Sequence, residues 1–429
     1  MKTRVQPAAR TSAGQYSAAK QGATSLRVLL YSHDSWGLGH LRRSLAIAGA
    51  ITSHFADADV LIVTGSPCAT QFELPARCDV LKLPAVSKDL QGQYIPRTMS
   101  GDVSRTLEIR SRLILESYHA FDPHVVIVDH QLTGLLGEAL GMLRAARSQD
   151  RTVIYGMRDV LDSPEVVAKA WDSEEHRWAL ENAYDRICVY GTPEVFDPRK
   201  QYKMLEAFRD KIEFSGYIAA PLKLTKRPPF PFFRKKVLVT MGGGEDGQER
   251  IDTYIKVLKE KPVPWDTHIV TGPLMDSSHV RHYKHEIYRM ELTDQVRIYR
   301  FCAYMPRLLQ ESDAVVSMAG YNSCAEIMQS RIPSVLMPRQ KPRKEQLIRA
   351  RRLQEMGLTQ CVTGDDPAQL RDAIEQALGR PGPKDGYPSL GGLDALCGTI
   401  SELTNIGSGQ GERAAVATLK SAGSQAHVG

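Results

Sequence analysis

Short apolar runs rich in valine and isoleucine recur along this chain and alternate with longer segments of helical periodicity. Twelve such runs are predicted strands: RVLLYS (27–32), VLIVTG (60–65), VLKLP (80–84), VVIVDH (125–130), TVIYGM (152–157), RICVYG (186–191), IEFSGY (212–217), VLVT (237–240), THIVTG (267–272), VRIYRF (296–301), AVVSM (314–318) and SVLMP (334–338). Strands that are apolar throughout are typical of parallel sheets covered by helices on both faces. We therefore predict an α/β fold with parallel sheets.

A proline-rich segment divides the predicted strands into two sets. PLKLTKRPPFPFFRKK, residues 221–236, carries four prolines, which prevent a continuing helix or a central strand. A chain of 429 residues also suits two domains rather than one. The predicted parts are a tail (1–25), an N-terminal Rossmann-like domain (26–218), a linker (219–236), a C-terminal Rossmann-like domain (237–385), a C-terminal helix (386–406) and a second tail (407–429).

Composition restricts the class of protein. Lys and Arg total 55 against 49 for Asp and Glu, a mild excess that suits a polyphosphate ligand without singling out nucleic acid. The seven cysteines form no CxxC pair, which predicts reduced thiols in a cytoplasmic protein. The longest apolar runs are far shorter than the ~18 residues of a membrane span. Composition therefore favours a soluble or peripheral protein.

Each half opens with a strand, a glycine-rich turn and an amphipathic helix. The first turn contains Gly37, Gly39 and His40, and the second contains Gly242–Gly244. Glycines let the backbone approach a ligand, and the N–H groups of a following helix attract anions. A dinucleotide motif would need a third glycine at position 42, where an arginine stands. A phosphate contact is the favoured interpretation of both turns, and a purely structural turn is the alternative.

The most informative stretch is residues 317–350. Gly320 permits a turn after a strand, Asn322 or Ser323 can cap the next helix, and Glu326 follows on its first turn. A carboxylate there can accept hydrogen bonds from both ribose hydroxyls of a nucleotide. The loop after the next strand brings Arg339, Glu345 and Gln346 to the same sheet edge.

This stretch resembles the C-terminal domain of glycosyltransferase family 28, which includes the bacterial lipid I N-acetylglucosaminyltransferases. The family's motif order matches Gly320, Glu326, Pro338, Glu345, Gln346 and Ala350. The two glycine turns match the family's Gly-His turn and its phosphate loop. The segment 156–159 is similar to a Gly-x-Arg-Asp segment of uncharacterised predicted glycosyltransferases. Departures are Gly244 in place of a serine and Met318–Ala319 in place of Arg-Ser.

The resemblance implies a GT-B fold, a UDP-sugar donor, and inversion at the anomeric carbon with no metal or other cofactor. Glu326 would hold the ribose, while Glu345 and Gln346 would contact the donor sugar. Backbone groups of Phe301 and Cys302 would meet the uracil. The diphosphate would lie among the two glycine turns, at Gly37, Gly39, Gly243 and Gly244, with Arg339 nearby.

Direct displacement needs a base for the acceptor hydroxyl. His40 is the favoured candidate because its ordinary pKa is nearest neutrality. Asp129, at the end of a predicted strand, is either a competing base or the partner that orients His40, and a core role for it is the alternative. Asp159 ends the next strand and is a further candidate.

Several functions fit these motifs. The favoured function is transfer of a hexosyl or N-acetylhexosaminyl group to an unidentified glycolipid, polysaccharide or small molecule. A nucleotide-sugar epimerase or hydrolase, or a non-catalytic nucleotide-sugar binding protein, are the alternatives. Phe230, Phe232 and Phe233 before a basic run are either a membrane-surface anchor or an ordinary linker, so the predicted location is the cytoplasm, with peripheral contact at the inner membrane face as an option.

Two other ligand classes are disfavoured. The basic run 339–352 lacks interleaved aromatic residues, so no nucleic-acid partner is predicted. His279, His282 and His285 share a helix spacing, but no acid or cysteine completes a metal-ligand set with them.

Overall fold

The computed structural model describes residues 25–33, 39–89, 93–220, 234–302, 305–383 and 385–406. Gly37, the aromatic residues 230–233 and nearly all of both predicted tails lie outside these ranges, so the predictions for them stay predictions.

The first domain is built on a seven-stranded parallel sheet and a small hairpin. Its strands are β1 (Arg27–Ser32), β2 (Asp59–Thr64), β3 (Cys78–Lys82), β4 (Val86–Lys88), β5 (Tyr94–Pro96), β6 (Val125–Asp129), β7 (Thr152–Arg158), β8 (Arg186–Tyr190) and β9 (Ile212–Phe214). The sheet order is β3-β2-β1-β6-β7-β8-β9, and β4 pairs with β5 as an antiparallel hairpin. Every residue of β6 is buried, which explains its continuous apolar sequence.

Helices of the first domain follow the strands in alternation. They are α1 (Gly39–His54), α2 (Val103–Phe121), α3 (Leu140–Ser148), α4 (Pro164–Ala170), α5 (Glu174–Trp178) and α6 (Pro198–Gln201). Short 3₁₀ segments cover Ala69–Gln71, Leu135–Gly137 and Lys203–Lys211, and a π-helical turn covers Ala179–Ala183.

The second domain is built on a six-stranded parallel sheet. Its strands are β10 (Lys235–Thr240), β11 (Trp265–Val270), β12 (Val296–Tyr299), β13 (Ala314–Ser317), β14 (Ser334–Leu336) and β15 (Gln360–Cys361), in the order β12-β11-β10-β13-β14-β15. The remaining helices are α7 (Gln248–Glu260), α8 (Ser277–Arg289), α9 (Met305–Glu311), α10 (Tyr321–Ser330), α11 (Glu345–Glu355), α12 (Pro367–Gly379) and α13 (Gly392–Thr404).

The predicted α/β class with two parallel sheets is confirmed. All twelve predicted strands are present, with ends shifted by a few residues. The hairpin β4–β5 and the edge strand β15 escaped prediction because each is only two or three residues long and lacks an apolar run.

The chain returns to the first domain at its described C-terminal end. The N–H of Tyr217 donates to the carbonyl of Ser389 at 2.8 Å, and Thr399 on α13 donates to the Glu213 carboxylate at 3.0 Å. A Cβ on Gly392, at the start of α13, would lie 2.7 Å from the carbonyl oxygens of Gly216 and Tyr217. The helix α13 thus packs against the first domain and ties the two domains together.

The longest described helix, α2, has 19 residues and several charges. None of the helices in the described ranges combines the length and apolar character that crossing a membrane requires.

Candidate active site

A histidine–aspartate pair lies where β6 ends beside the first turn of α1. Nδ1 of His40 is 2.6 Å from Oδ2 of Asp129. A terminal nitrogen of Arg43 also lies 2.8 Å from this Nδ1. Because the carboxylate can only accept, we assign the ring proton to Nδ1, which leaves the lone pair on Nε2. Arg43, one turn along α1, donates from Nε and from its terminal nitrogen to Oδ1 of Asp129 at 3.0 and 2.8 Å. The side chain of Asp129 is 1% exposed and that of His40 is 14% exposed.

The protonation states follow from these surroundings. Burial lowers the pKa of His40 to about 4, although the neighbouring Asp129 carboxylate partly opposes the shift. Burial alone would raise the pKa of Asp129, but Arg43 and His40 together hold it well below its usual range. At neutral pH the pair is therefore a neutral imidazole beside a carboxylate. That state suits a ring that accepts a proton at Nε2.

Two further buried histidines surround His40. The ring centroids of His33 and His130 lie 5.9 and 4.8 Å from that of His40, and burial lowers the pKa of both rings well below its usual range. A terminal nitrogen of Arg158, in the Gly-x-Arg-Asp segment, lies 3.4 Å from Nε2 of His130. Burial lowers the pKa of Arg158 to about 10, so its guanidinium keeps its charge at neutral pH.

A cavity of about 210 Å³ lies between the two domains, and three of the predicted donor-binding residues, Phe301, Cys302 and Glu326, line it. Its walls are formed by Arg42, Phe72, Thr240, Gly242, Val270, Gly272, Pro273, Phe301, Cys302, Met305, Pro306, Leu309, Ser323, Glu326 and Ile327. The carboxylate of Glu326 forms an ion pair with Arg42 of the first domain. Phe301 is 55% exposed, so its ring is open to solvent at the cavity wall.

The helix α10 presents Glu326 from its second turn rather than its first. It begins at Tyr321 with Gly320 at the N-cap, so the prediction that Asn322 or Ser323 caps it is wrong. The amide of Asn322 instead donates to the carbonyl of Gly39 at 2.9 Å, which joins α10 to the start of α1.

The glycines after β10 separate into two groups. Gly242, with φ +62°, lines the cavity, as does Gly272 after β11. Gly243 and Gly244 do not line it, because they pack against the loop after β11. A Cβ on Gly244 would be 2.4 Å from the carbonyl oxygen of Thr271, and one on Gly272 would be 2.4 Å from the carbonyl of Gly243. Close packing of two loops therefore accounts for much of this glycine cluster.

The residues predicted after β14 form a polar group at the domain interface. Arg339 forms ion pairs with Glu345 and with Asp246 of the glycine loop, and its N–H donates to Oε1 of Gln346 at 3.0 Å. The side chains of Glu345 and Gln346 are buried, and Oε2 of Glu345 has no partner among the described residues. None of Arg339, Glu345 and Gln346 lines the cavity between the domains.

Asp159 is held in a different way from Asp129. Arg349 of the second domain donates to its two carboxylate oxygens at 2.7 and 2.6 Å, and Tyr217 donates to it at 2.7 Å. Both partners of this ion pair are fully buried. Asp159 thus joins the domains and has no solvent-accessible oxygen with which to act as a base.

The sequence prediction missed both arginines that hold these carboxylates. Arg43 could have been found, since a residue three positions after His40 on a helix lies on the same face. Arg349 had no such signal, because its partner is 190 residues away.

Within the described residues no group of three or more His, Cys, Asp or Glu side chains could hold a metal ion, and this includes the histidines of α8. The prediction of a reaction without metal stays a prediction.

Solved structures similar to this one identify its fold class. MurG of Acinetobacter baumannii is 13% identical, with 88% of this chain and 99% of that chain covered and a TM-score of 0.51. UDP-GlcNAc 2-epimerase from Methanocaldococcus jannaschii is 12% identical, covers 88% and 99%, and has a TM-score of 0.55. At such identities the likeness shows the fold alone. Two parallel-sheet domains with a cavity between them make this a GT-B fold, as predicted.

Sequence comparison gives the family. The model of the glycosyltransferase family 28 C-terminal domain matches residues 237–379. The UDP-N-acetylglucosamine–N-acetylmuramyl-(pentapeptide) pyrophosphoryl-undecaprenol N-acetylglucosamine transferase of Leuconostoc citreum (strain KM20) is 31% identical over 326 residues, which are 70% of this chain and 75% of that protein. This chain belongs to glycosyltransferase family 28 and is a glycosyltransferase, which confirms the predicted family and enzyme class.

Proposed function

We propose that this enzyme transfers a hexosyl or N-acetylhexosaminyl group from a UDP-sugar to an acceptor hydroxyl, with inversion. One observation supports the proposal: His40, whose Nδ1 lies 2.6 Å from the buried Asp129 carboxylate, stands on α1 two residues before Arg42. Arg42 and Glu326 both line the cavity between the domains. The donor nucleotide is taken from the Leuconostoc citreum relative, whose name specifies UDP-N-acetylglucosamine.

The proposed reaction is a single displacement. Nε2 of His40 takes the proton of the acceptor hydroxyl while the hydroxyl oxygen bonds to the anomeric carbon. The bond from that carbon to the diphosphate oxygen breaks, and UDP leaves on the opposite side. Asp129 keeps the Nδ1 proton in place and stabilises the imidazolium that forms. The burial of Asp129 favours its role as orienting partner over that of competing base.

We assign the main donor-binding roles to residues that line the cavity between the domains. Glu326 accepts hydrogen bonds from the ribose hydroxyls, and Arg42, released from Glu326, turns to the diphosphate. Backbone groups of Phe301 and Cys302 meet the uracil.

Further donor contacts are proposed for the glycine turns and for the residues after β14. Gly39, Gly320 and the Gly242–Gly244 loop frame the diphosphate. Glu345 and Gln346 reach the sugar, with Arg339 orienting them. Arg42 and the helix N-termini supply positive charge for the diphosphate, so we propose that neither metal nor other cofactor is needed.

The acceptor is a glycolipid, a polysaccharide or a small molecule. A lipid-linked acceptor gains support from the Leuconostoc citreum relative, whose name specifies a pyrophosphoryl-undecaprenol substrate. A location in the cytoplasm, with peripheral contact at the inner face of the membrane, would suit such an acceptor.

A nucleotide-sugar epimerase or hydrolase is the alternative, favoured by the likeness to the Methanocaldococcus jannaschii epimerase. The test is to incubate the purified protein with UDP-, GDP- and dTDP-sugars, first alone and then with lipid and polysaccharide extracts. UDP release that requires the extract supports transfer. Conversion or hydrolysis of the donor alone supports the alternative, and binding of none of the donors contradicts both.

A further inference from the structure

A second cavity, of about 490 Å³, opens in the first domain at the sheet edge where Asp129 lies. This volume is within the range of about 300–1,000 Å³ that small-molecule sites occupy. The side chains that matter most in its lining are Tyr94, Gln131, Leu136, Trp171, Ser173 and His176. It shares no residue with the cavity between the domains.

One wall of the cavity continues directly from the catalytic pair. The loop of residues 130–137 leaves β6 after Asp129, and the N–H of Gln131 donates to the carbonyl of Asp129 at 2.9 Å. A molecule in this cavity therefore rests on the same backbone that positions the carboxylate beside His40.

Buried tyrosines fix the shape of the 130–137 loop. Tyr31 accepts from the N–H of Leu135 at 2.9 Å, and Tyr155 donates to the carbonyl of His130 at 2.6 Å. A third tyrosine, Tyr184, donates to the carbonyl of Leu132. Three tyrosine hydroxyls from three different parts of the first domain therefore hydrogen-bond to the backbone of this loop.

Leu136 stands on this wall in a conformation that packing does not explain. Its φ is +48° and its side chain is 62% exposed. A left-handed conformation costs a residue with a Cβ roughly 1–2 kcal/mol. Non-glycine residues held in this way are concentrated where a ligand is bound. Leu136 contributes little to the core, so its apolar side chain is available for contact with a ligand.

The opposite wall combines an aromatic ring with hydrogen-bonding groups. The ring of Trp171 is held against those of Tyr155 and Tyr202, at centroid distances of 6.4 and 6.3 Å. Oγ of Ser173 lies 2.8 Å from Nδ1 of His176. Burial lowers the pKa of His176, so its ring is neutral at neutral pH.

The charge of the lining restricts the ligand. Glu175 is the one acidic residue among the described residues that line the cavity, and none of them is a lysine or arginine. A phosphate or carboxylate group would find no cation here and would meet a carboxylate. An uncharged group that offers both a flat face and hydroxyls fits Trp171, Leu136 and Gln131.

We propose that this cavity binds an uncharged, ring-bearing part of the acceptor and so brings its hydroxyl to His40. The assignment rests on the proposed transferase function and adds the acceptor's chemical class. Any anionic part of the acceptor, such as a phosphate, would lie elsewhere.

The test uses calorimetric titration of the whole protein with phenyl β-D-glucopyranoside and phenyl N-acetyl-β-D-glucosaminide, and with glucose 1-phosphate as the charged counterpart. We expect at least one aryl glycoside to bind and glucose 1-phosphate not to compete. Leu136→Asn removes the apolar contact while accepting the left-handed backbone, so it should fold normally and weaken aryl glycoside binding about tenfold. Val166→Asn is the matched control, since Val166 is also apolar and 49% exposed but does not line the cavity.

Three results would overturn the assignment: no binding of either aryl glycoside, equal binding by Leu136→Asn and the wild type, or competition by glucose 1-phosphate. A UDP titration of the same samples separates this failure from failure of the proposed function. Normal UDP binding with any of these three results rejects the cavity assignment alone. If the wild type does not bind UDP, the proposed donor site is rejected instead.

Discussion

At the residue scale, the role of His40 depends on which of its ring nitrogens is free. The carboxylate of Asp129 holds Nδ1, and Arg43 holds the carboxylate. Nε2 is therefore the atom that can take the proton of an acceptor.

Replacing His40 should separate catalysis from donor binding. A positioned general base contributes about 10²–10⁴-fold to turnover, so His40→Ala should lower kcat by that factor and leave UDP affinity unchanged. His54→Ala changes a histidine at the far end of the same helix and serves as the control. The measurement is kcat together with the Kd of UDP. Near-normal turnover of His40→Ala would give the role of base to another group.

The pH dependence should also reflect burial. The neutral imidazole is the active form, and burial lowers the pKa of His40 to about 4. Activity should therefore persist below the ordinary histidine pKa of about 6.5 and fall as the pH drops through about 4. The acid limb of kcat/KM measures this, with circular dichroism to confirm folding at each pH. A limb centred near the ordinary value would show that His40 is not the titrating base.

Residue types and motif order were enough to predict His40, Asp129 and Glu326 as candidates. They could not reveal the pairing of Glu326 with Arg42, which lies 284 positions away in the sequence. Such pairs depend on how the two domains pack together, and a local sequence pattern carries no information about that packing.

At the element scale, the loops after β10 and β11 act as one unit. Gly272 has φ +94° and packs against the carbonyl of Gly243. From the sequence, the glycine cluster after β10 was predicted to be a phosphate loop. Which of its glycines face the cavity depends on the loop after β11, about 30 residues further along the chain, and the sequence does not show that contact.

Gly272→Ala should damage both loops. The added Cβ would lie 2.4 Å from the Gly243 carbonyl, and the positive φ adds strain, so the free energy of unfolding should fall by about 1–3 kcal/mol and UDP should bind more weakly. Gly379→Ala is the matched control, because nothing lies within 4 Å of a Cβ at the end of α12. Urea unfolding and UDP titration test the pair. Equal stability of the two variants would contradict the described packing of the loops.

At the scale of the whole molecule, a buried ion pair joins the domains. Arg349 on α11 and Asp159 after β7 are both fully buried, and Arg349 also donates to the carbonyl of Ala319 at 2.7 Å. The sequence predicted two domains and a linker, yet it could not predict this contact or the packing of α13 on the first domain. Both are tertiary contacts between distant segments.

Removing one partner of the Arg349–Asp159 ion pair should destabilise the protein. Arg349→Met leaves the Asp159 carboxylate buried without its cation, which should lower the free energy of unfolding by about 3–5 kcal/mol. Arg352→Met, one turn along the same helix at a side chain that is 43% exposed, should change it by less than about 1 kcal/mol. Urea unfolding measures both. Replacing both partners, as Arg349→Met with Asp159→Leu, should recover part of the loss, and similar stabilities for Arg349→Met and Arg352→Met would contradict the account.

The central claim is that the cavity between the domains holds a nucleotide through Glu326. Calorimetric titration of UDP into the wild type, Glu326→Ala and the exposed control Glu355→Ala tests it most directly. Loss of charge-assisted hydrogen bonds worth about 1.5–3 kcal/mol should weaken UDP binding by roughly 10- to 150-fold in Glu326→Ala, with Glu355→Ala unchanged. Equal UDP affinity in all three proteins would contradict the assignment of this cavity as the donor site.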